Sequence, residues 1–394
     1  TQFASGFAGD HNLKLGAEFE RSTVVSELGY AGGGYIGAYS GVPYYAYLWD
    51  GYLRDSVNTR LSAYAQDSWQ VNSRLTINPG IRVDHIRGDL NSIAHGGGIF
   101  KTTSWGPRVG FAFDVAGNGQ TVFKGHWGRY YDGAKSTYFD LMTPANPFYV
   151  VYLDPSTGSP ISEPYQLTAG GTVHSMDPDI KHPRMDQAIL GLQHELFPNF
   201  SVGVTGIYRK NSNFIDDVLT DASGWEKVTL PDPGPDNEEG TSDDPGTTLD
   251  FYEQVSDPDD NRFLITNPED AYREYKGVEL MAEKRFSDRW MLQASWVISK
   301  IEGNINNTGN FGNSAEYDSP NTDPRFQPFR DGRLTNDNTH LAKLLGMWQG
   351  PWGVIASGAY FYTSGGTFNR TVRVRLDAQR EVFASATVDE LAAL

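Results

Sequence analysis

The chain has 394 residues, a formal net charge of −17 and no cysteine. A chain this acidic lacks the basic face that nucleic-acid binding requires, and without cysteine it forms no disulfide, thiol catalyst or zinc–thiolate site. It contains no apolar run of about twenty residues, which excludes a transmembrane helix. Transmembrane β-strands are compatible with its low mean hydropathy, because half of each such strand faces water.

The pattern predicts an all-β protein in which strands follow one another as hairpins. In chain order the predicted strands are 12–20, 58–71, 74–88, 105–115, 120–132, 182–196, 200–213, 272–286, 289–301, 340–348, 352–364 and a weaker 371–376. Helical content is expected to be minor. In the tail TVDELAAL, Thr387 and Glu390 form a capping-box start that favours one or two helical turns.

The connections between these strands alternate between short and long. The short ones are turns at 72–73, 117–118, 198–199, 287–288 and 350–351, while the long ones include the Gly/Tyr-rich stretch that follows the first strand. Many long loops are unusual in a compact globular domain. They are typical of a transmembrane barrel, which has short periplasmic turns and long extracellular loops. We therefore expect one antiparallel sheet with the five short turns at one rim.

The segment RLTINPGIRVDHIRG at 74–88 alternates strictly between apolar and polar residues. Strand side chains alternate with period two, so such a segment turns one apolar face to lipid and one polar face to a wet lumen. The residues predicted to face lipid are Leu75, Ile77, Ile81, Val83, Val109, Phe111, Phe113, Val202, Val204, Trp290, Leu292 and Trp296. Those predicted to face the lumen are Arg82, Asp84, Arg108, Asp114, Gln293 and Ser295.

Aromatic residues beside the strand ends are candidates for the interfacial girdles of a membrane barrel. They are Trp69, Trp105, Trp127, Tyr130, Trp290, Trp348, Trp352 and Tyr362. The alternative for each of them is a place in a protein core.

Several segments resemble the barrel of TonB-dependent outer-membrane receptors. YAQDSWQVNSRLTINPGIRVD at 64–84 is similar to a recurring strand pair of these receptors, and GPRVGFAFDVAGNGQTVFKGHWGRYYD at 106–132 to the following hairpin of their Oar-like, carboxypeptidase-regulatory-like domain-containing group. The segments HPRMDQAILGLQHELFPNFSVGVTGIYRKNSNF at 182–214 and YKGVELMAEKRFSDRWMLQASWVISKIEG at 275–303 also resemble this group.

The resemblance implies a barrel of about 22 strands, closed by an N-terminal plug and preceded by a small β domain. The chain shows about 12–13 strands, and neither plug nor TonB box is visible in it. It also opens in the middle of an alternating pattern without a signal peptide. We therefore expect residues 1–394 to be a partial barrel domain, with the plug and the N-terminal domain outside this chain.

On this resemblance the expected function is TonB-dependent uptake of a ligand too large for porins, in the outer membrane of a Gram-negative-type bacterium. The implied partners are outer-membrane lipid, an extracellular ligand and, through the missing N-terminal region, the TonB complex; no nucleic acid is expected. Two alternatives are a passive outer-membrane structural or adhesion barrel and a secreted carbohydrate-binding β protein. Detergent dependence separates the membrane barrels from the secreted protein.

An aromatic group in the first long loop is the candidate ligand site. Tyr44, Tyr45, Tyr47 and Trp49, followed by Tyr52, present rings that can stack on a sugar or peptide. The alternative is packing of one loop on another. Just before this group, GGGYIG at 32–37 fits the dinucleotide-binding pattern, but no helical segment follows it, so a Gly-rich loop is favoured.

The segment PDPGPDNEEGTSDDPG is the candidate metal site. Calcium takes six to eight oxygen ligands on a flexible loop, and closely spaced acidic side chains with tight turns can wrap such an ion. The candidate ligands are Asp232, Asp236, Asn237, Asp243 and Asp244. The spacing is not that of an EF-hand, and the alternative is a solvated acidic loop.

No enzyme motif is present. The chain has no G-x-S-x-G, H-E-x-x-H or P-loop sequence, and its eight histidines are scattered. We therefore expect no catalysis and no required cofactor, with calcium as the one candidate ion.

Overall fold

The computed structural model is built almost wholly of β-strands and describes residues 2–5, 9–91, 99–133, 135–144, 146–168, 170–171, 174–305, 316–327, 330–335, 337–367, 370–377 and 380–386. The first strands are β1 (Gln2–Ser5), β2 (Asp10–Leu28), β3 (Gly34–Tyr39), β4 (Val42–Trp49), β5 (Tyr52–Gln70), β6 (Leu75–Leu90), β7 (Phe100–Asp114), β8 (Thr121–Tyr131), β9 (Phe148–Tyr152), β10 (Tyr165–Thr168), β11 (His174–Met176) and β12 (Arg184–Phe197). They are followed by β13 (Phe200–Ser212), β14 (Asp216–Leu219), β15 (Trp225–Pro231), β16 (Thr248–Gln254), β17 (Phe263–Thr266), β18 (Arg273–Ser287), β19 (Trp290–Gly303), β20 (Gly332–Arg333), β21 (His340–Gln349), β22 (Ile355–Thr363), β23 (Arg370–Asp377) and β24 (Arg380–Ala386).

Helical structure in the described ranges consists of short 3₁₀ turns, which lie at Ala31–Gly33, Ser136–Tyr138, Asp140–Met142, Pro258–Asp260 and Pro351–Gly353. No helix in these ranges has the length and apolar character needed to cross a membrane. The predicted helical tail at 387–394 lies outside the described residues.

Thirteen strands form one sheet in the order β1-β2-β5-β6-β7-β8-β12-β13-β18-β19-β21-β22, with β20 beside β19. Each pair along this path is antiparallel, and the predicted hairpins lie in it as consecutive neighbours. This confirms the predicted sheet. Among the described residues its edges are β1 and β22.

The five short turns lie at one rim of the sheet, as predicted. Leu75, which follows the first turn, lies opposite Phe113, which precedes the second. The register continues in the same direction through Thr121 opposite His194 and Phe200 opposite Lys284. It ends with Trp290 opposite Trp348, beside the fourth and fifth turns. The long connections therefore leave from the other end, which we call the loop end.

The predicted alternation of faces holds across the sheet, because residues directly opposite each other across a ladder share a face. Phe113 lies opposite Phe123 and Val204 opposite Leu280, so the apolar set lies on one face. Arg82, Asp84, Arg108, Asp114, Gln293 and Ser295 lie on the other face. The apolar face is open, since Leu15 and Phe19 are 73% and 69% exposed.

The apolar face carries most of the predicted girdle residues. Trp105, Trp127 and Trp348 lie on it and are half-exposed. The prediction is wrong for Tyr130. Because side chains alternate along β8, Tyr130 lies on the polar face, opposite to the face of Trp127. There its hydroxyl is 2.6 Å from His126 Nε2.

Ion pairs mark the upper limit of the apolar band. On the same face, but nearer the loop end, Arg129 Nε lies 2.7 Å from an Asp186 carboxylate oxygen and Lys210 Nζ 3.1 Å from Glu274. An apolar band between a turn rim and a charged border matches the lipid-facing belt of a membrane barrel.

The long connections, expected to be irregular, contain small sheets of their own. β3, β4, β9 and β10 form one antiparallel sheet, β15 pairs with β16, and β17 lies between β14 and β11. The Gly-rich stretch at 32–37 leads into β3, and in the described part of the chain no α-helix follows it. The weak strand predicted at 371–376 also exists as β23, but it pairs with β24 in a separate hairpin and not with the main sheet.

The main hydrophobic core lies at the loop end. There the polar face of β6 and β7 turns apolar, and its Ile86 and Phe100 pack with Tyr138 and Phe139 from the loops. Gly88 permits this contact, since a Cβ atom there would lie 2.3 Å from Cε1 of Phe139. We call the loop residues that pack on this face the loop layer: Tyr138, Phe139, Ile180, Ile215 and Ile265.

Candidate functional site

The four predicted ligand residues lie together on β4. Side chains alternate along a strand, so Tyr45, Tyr47 and Trp49 share one face and Tyr44 lies on the other. β4 pairs with β3 on one side and with β9 on the other, in a sheet formed by the loops.

Rings from the neighbouring strands surround this aromatic group. The ring centroids of Tyr47 and Phe148 lie 5.1 Å apart, those of Tyr45 and Tyr47 4.8 Å, and those of Tyr35 and Tyr47 5.1 Å. Desolvation raises the pKa of Tyr35 to about 12, and its hydrogen bond with Tyr45 adds to this effect. The Tyr35 hydroxyl therefore stays protonated at neutral pH.

Tyr44 is the most open member of the group. It is 50% exposed, and its ring lies edge-on to Tyr45 at 6.3 Å and to Tyr152 at 5.9 Å. Loop-on-loop packing thus describes the inner rings, whereas Tyr44 and Tyr152 present apolar surface to solvent. The sequence reading missed Phe148 and Tyr152, although the run FYVVY is a strand signal.

The acidic loop is the tip of the hairpin between β15 and β16. It brings three of the five predicted ligands together: carboxylate oxygens of Asp236, Asp243 and Asp244 lie within 4.8 Å of one another. Asp232, at the start of the loop, is not part of this group; it is buried and accepts a hydrogen bond from the backbone N–H of Gly234. Asn237 is in the left-handed region with φ of 59°, where Asn is tolerated.

Donors from the loop itself stabilise these carboxylates. The Thr241 hydroxyl lies 2.6 Å from Asp243 Oδ1, and this hydrogen bond is the main cause that lowers the pKa of Asp243. The backbone N–H of Gly240 donates to Asp244 at 2.7 Å. Each oxygen keeps a second lone pair, so three ionised carboxylates with added water fit the all-oxygen coordination that calcium prefers.

A second group of carboxylates lies buried in the loops and was not predicted from the sequence. Asp216 is fully buried and accepts a hydrogen bond from the backbone N–H of Glu316, 100 residues later in the chain. Asp318 lies in the same region, and burial raises its pKa to about 6, with repulsion by Asp217 and Glu316 adding to the shift. No local pattern signals such a group, because its members come from distant loops.

The raised pKa of Asp318 predicts a pH dependence. The folded loops bind the Asp318 proton more tightly than the unfolded chain does, so the stability of the loops should rise as the pH falls from about 7 to about 4. Asp318→Asn should remove this rise and stabilise the loops at pH 7 by on the order of 1 kcal/mol, since partial solvation screens the charge. Thermal unfolding against pH measures it, with the exposed Glu269→Gln as control. Identical pH profiles for wild type and Asp318→Asn would contradict it.

The polar face of the sheet forms a continuous network of charges near the first strands. Arg60 lies 2.9 Å from Glu18 and 2.6 Å from Glu20, and Arg82 lies 3.1 Å from Glu18 and 2.9 Å from Asp84. Glu18 and Glu20 are about half-exposed. Ion pairs that remain in contact with solvent are typical of a water-filled lumen, whereas burying such charges in a dry core is unfavourable.

Comparison with known proteins identifies the sheet. Residues 87–368, well over half of the chain, match the family described as outer membrane beta barrel domain. The chain belongs to this family. Its apolar face is therefore the lipid face of an outer-membrane barrel wall, its polar face lines the lumen, and its turn rim is periplasmic.

Two proteins of known type are similar to this barrel chain. The TonB-dependent transporter Oar of Myxococcus xanthus is 22% identical over 339 residues, which cover 74% of this chain and 28% of Oar. The crystal structure of the outer membrane transporter YddB from Escherichia coli superimposes with a TM-score of 0.52 at 15% identity, covering 98% of this chain and 44% of YddB. The chain thus spans less than half the length of either protein. Both of these proteins are described as transporters.

Proposed function

We propose that this chain is the barrel wall of a receptor for TonB-dependent uptake of a ligand too large for porins. The observation that carries the proposal is the combination of a charged, wet lumen wall with a packed loop layer across its outer end. A passive pore needs no such layer, whereas a receptor must both recognise a ligand and keep the lumen closed. The similarity to a TonB-dependent transporter supports the same function.

The proposal assigns three partners. Outer-membrane lipid covers the apolar face, an extracellular ligand contacts the loops, and the TonB complex acts through a region of the protein outside residues 1–394. Tyr44 and its neighbours offer the ligand an aromatic surface suited to a sugar ring or a peptide side chain.

Energised uptake is the test. A strain with the intact gene and a strain with the gene deleted are grown in defined medium. Mass spectrometry then measures how fast peptides and oligosaccharides disappear from the medium. We expect the intact strain alone to deplete a solute above the porin size limit, and a protonophore to stop this loss. The passive adhesion barrel predicts instead that deletion changes attachment and leaves every energised uptake rate unchanged.

The aromatic surface gives a sharper prediction within this function. Tyr44→Ala should slow uptake of the depleted solute several-fold, since one aromatic contact contributes on the order of 1 kcal/mol to binding. Tyr39→Ala is the matched control, because Tyr39 is 78% exposed on the adjacent strand and outside the ring cluster. Equal uptake by Tyr44→Ala and the control would assign the group to loop packing alone.

We also propose that the acidic loop binds calcium through Asp236, Asp243 and Asp244, with Asp232 and Asn237 shaping the loop around them. An ion would turn the mutual repulsion of these carboxylates into coordination and stiffen the hairpin tip. Millimolar extracellular calcium suffices even for a weak site with Kd on the order of 10⁻⁴–10⁻³ M.

Calorimetric titration and limited proteolysis, each with and without EDTA, test this site. Asp236→Asn with Asp243→Asn should weaken calcium binding about tenfold or more and restore protease cleavage of the loop in calcium. Glu238→Gln with Glu239→Gln removes the same charge from the same loop and should change little, since neither residue belongs to the converging group. If calcium gives neither heat nor protection in the wild type, the loop is only a solvated acidic tip.

A further inference from the structure

A cavity of about 230 Å³ lies at the loop end, between the main sheet and the loops. Arg184 and Arg273, at the outer ends of β12 and β18, line it together with Tyr138, Phe214 and Ile215. The cavity therefore adjoins the hydrophobic core of the loop layer, to which Tyr138 and Ile215 belong.

Arg273 is the unusual group in this cavity. Its guanidinium carbon lies 5.4 Å from the centroid of the Phe214 ring, and the residue is half-buried. Within the part of the chain that the structure describes, the side chain of Arg273 forms no hydrogen bond and no ion pair, while its backbone pairs with Asn211 and Gly303 in the sheet. A cation–π contact leaves the guanidinium its five N–H donors, and no described group of the protein accepts a hydrogen bond from them, so they are available to a ligand.

The other two cations that line the cavity each contact a carboxylate. Arg184 Nε donates to Ser212 Oγ at 3.1 Å and lies 3.6 Å from an oxygen of Asp186, a carboxylate that Arg129 also contacts at 2.7 Å. Lys135 Nζ lies 2.7 Å from Asp132. Among these lining cations Arg273 is the one whose described contacts include no ion pair, and the Asp132 carboxylate, which also lines the cavity, attracts it from beyond ion-pair distance. A partly desolvated cation without a partner is unfavourable, and an anion in the cavity would relieve this cost.

We propose that this cavity binds the carboxylate of a small organic acid through Arg273. The two oxygens of a planar carboxylate match the fork of a guanidinium, which favours a bidentate pair. The apolar wall formed by Phe214 and Ile215 suits the carbon chain of such an acid. The inference stands independently of TonB-dependent uptake, because the cavity is a feature of the loop end itself.

Binding of succinate to the full chain in detergent micelles is the test. Calorimetry should give a saturable heat, and Arg273→Gln should raise the Kd at least tenfold. Arg273→Lys should also weaken binding, because a lysine keeps the charge and lacks the fork. Arg209→Gln is the matched control and should stay within twofold. Arg209 also lies 5.4 Å from a ring, that of Tyr275, but donates to Gln187 and does not line the cavity.

A second measurement uses the wild type alone, in case the variants fail to fold. Succinate should slow modification of Arg273 by phenylglyoxal, read by mass spectrometry, and leave modification of Arg209 unchanged. Absence of heat, equal affinity in Arg273→Gln, or unprotected Arg273 would each overturn the proposal. Binding of inorganic phosphate without succinate would likewise overturn the assignment to a carboxylate.

Discussion

Phe111→Arg is expected to lower the stability of the chain folded in lipid vesicles by about 2–4 kcal/mol, the cost of arginine on a lipid-facing strand near the bilayer midplane. Phe111 lies on the apolar face of β7, between the turn rim and the level of the Arg129–Asp186 ion pair, and its ring meets Phe123 edge-on at 5.2 Å. A guanidinium there would meet lipid instead of water, and the carboxylates of Asp186 and Glu274 on the same face lie nearer the loop end and are already paired. Urea titration of folding into vesicles measures the difference.

Asn78→Arg is the control at the same height. Ile77 lies opposite Phe111 in the register, and Asn78 is its neighbour on the lumen face, where it is exposed. The same guanidinium there meets water and polar side chains, so the change should stay within about 0.5 kcal/mol. Equal losses at both positions would show that strand disruption, and not the lipid face, sets the cost.

The sequence predicts this wall well because two simple constraints act on every residue of it. Lipid on one side and water on the other impose a period of two, and the short turns Asn72–Ser73 and Ser287–Asp288 fix the register of their hairpins. The direction of Phe111, Val204 and Trp296 follows from these constraints alone. The prediction is wrong for Tyr130 because it rests on the nearness of this residue to a strand end, whereas the alternation of side chains along the strand decides which face it lies on.

The loops were much harder to predict, because their partners lie far apart in the chain. The sequence predicts an irregular loop where β4 lies, because the partner of β4 is β9, whose Tyr152 lies opposite Tyr45 and more than 100 residues later. The converging carboxylates of Asp236, Asp243 and Asp244 were found because they are close in sequence. Arg273 was not singled out, because only the folded loops show that it lacks a partner.

The packing of the loop layer on the barrel is the other contact with a large expected effect. Phe139 is fully buried, and its ring centroid lies 6.3 Å from that of Phe100 on β7. It also covers Gly88 of β6 so closely that a Cβ there would clash with its ring. Phe139 therefore joins the loop layer to two strands of the wall at once.

Phe139→Ala should destabilise the loop layer by about 3–5 kcal/mol, the usual cost of a cavity left by a buried aromatic ring. The main sheet, held by its own ladders, should remain folded, so the loss is local and appears as faster amide exchange in Ser136–Tyr138 and Phe263–Thr266. Ile161→Ala, at a loop position that is 64% exposed, should leave this exchange unchanged. Unaltered protection in Phe139→Ala would mean that the loops are held in place by their own small sheets and not by packing on the barrel wall.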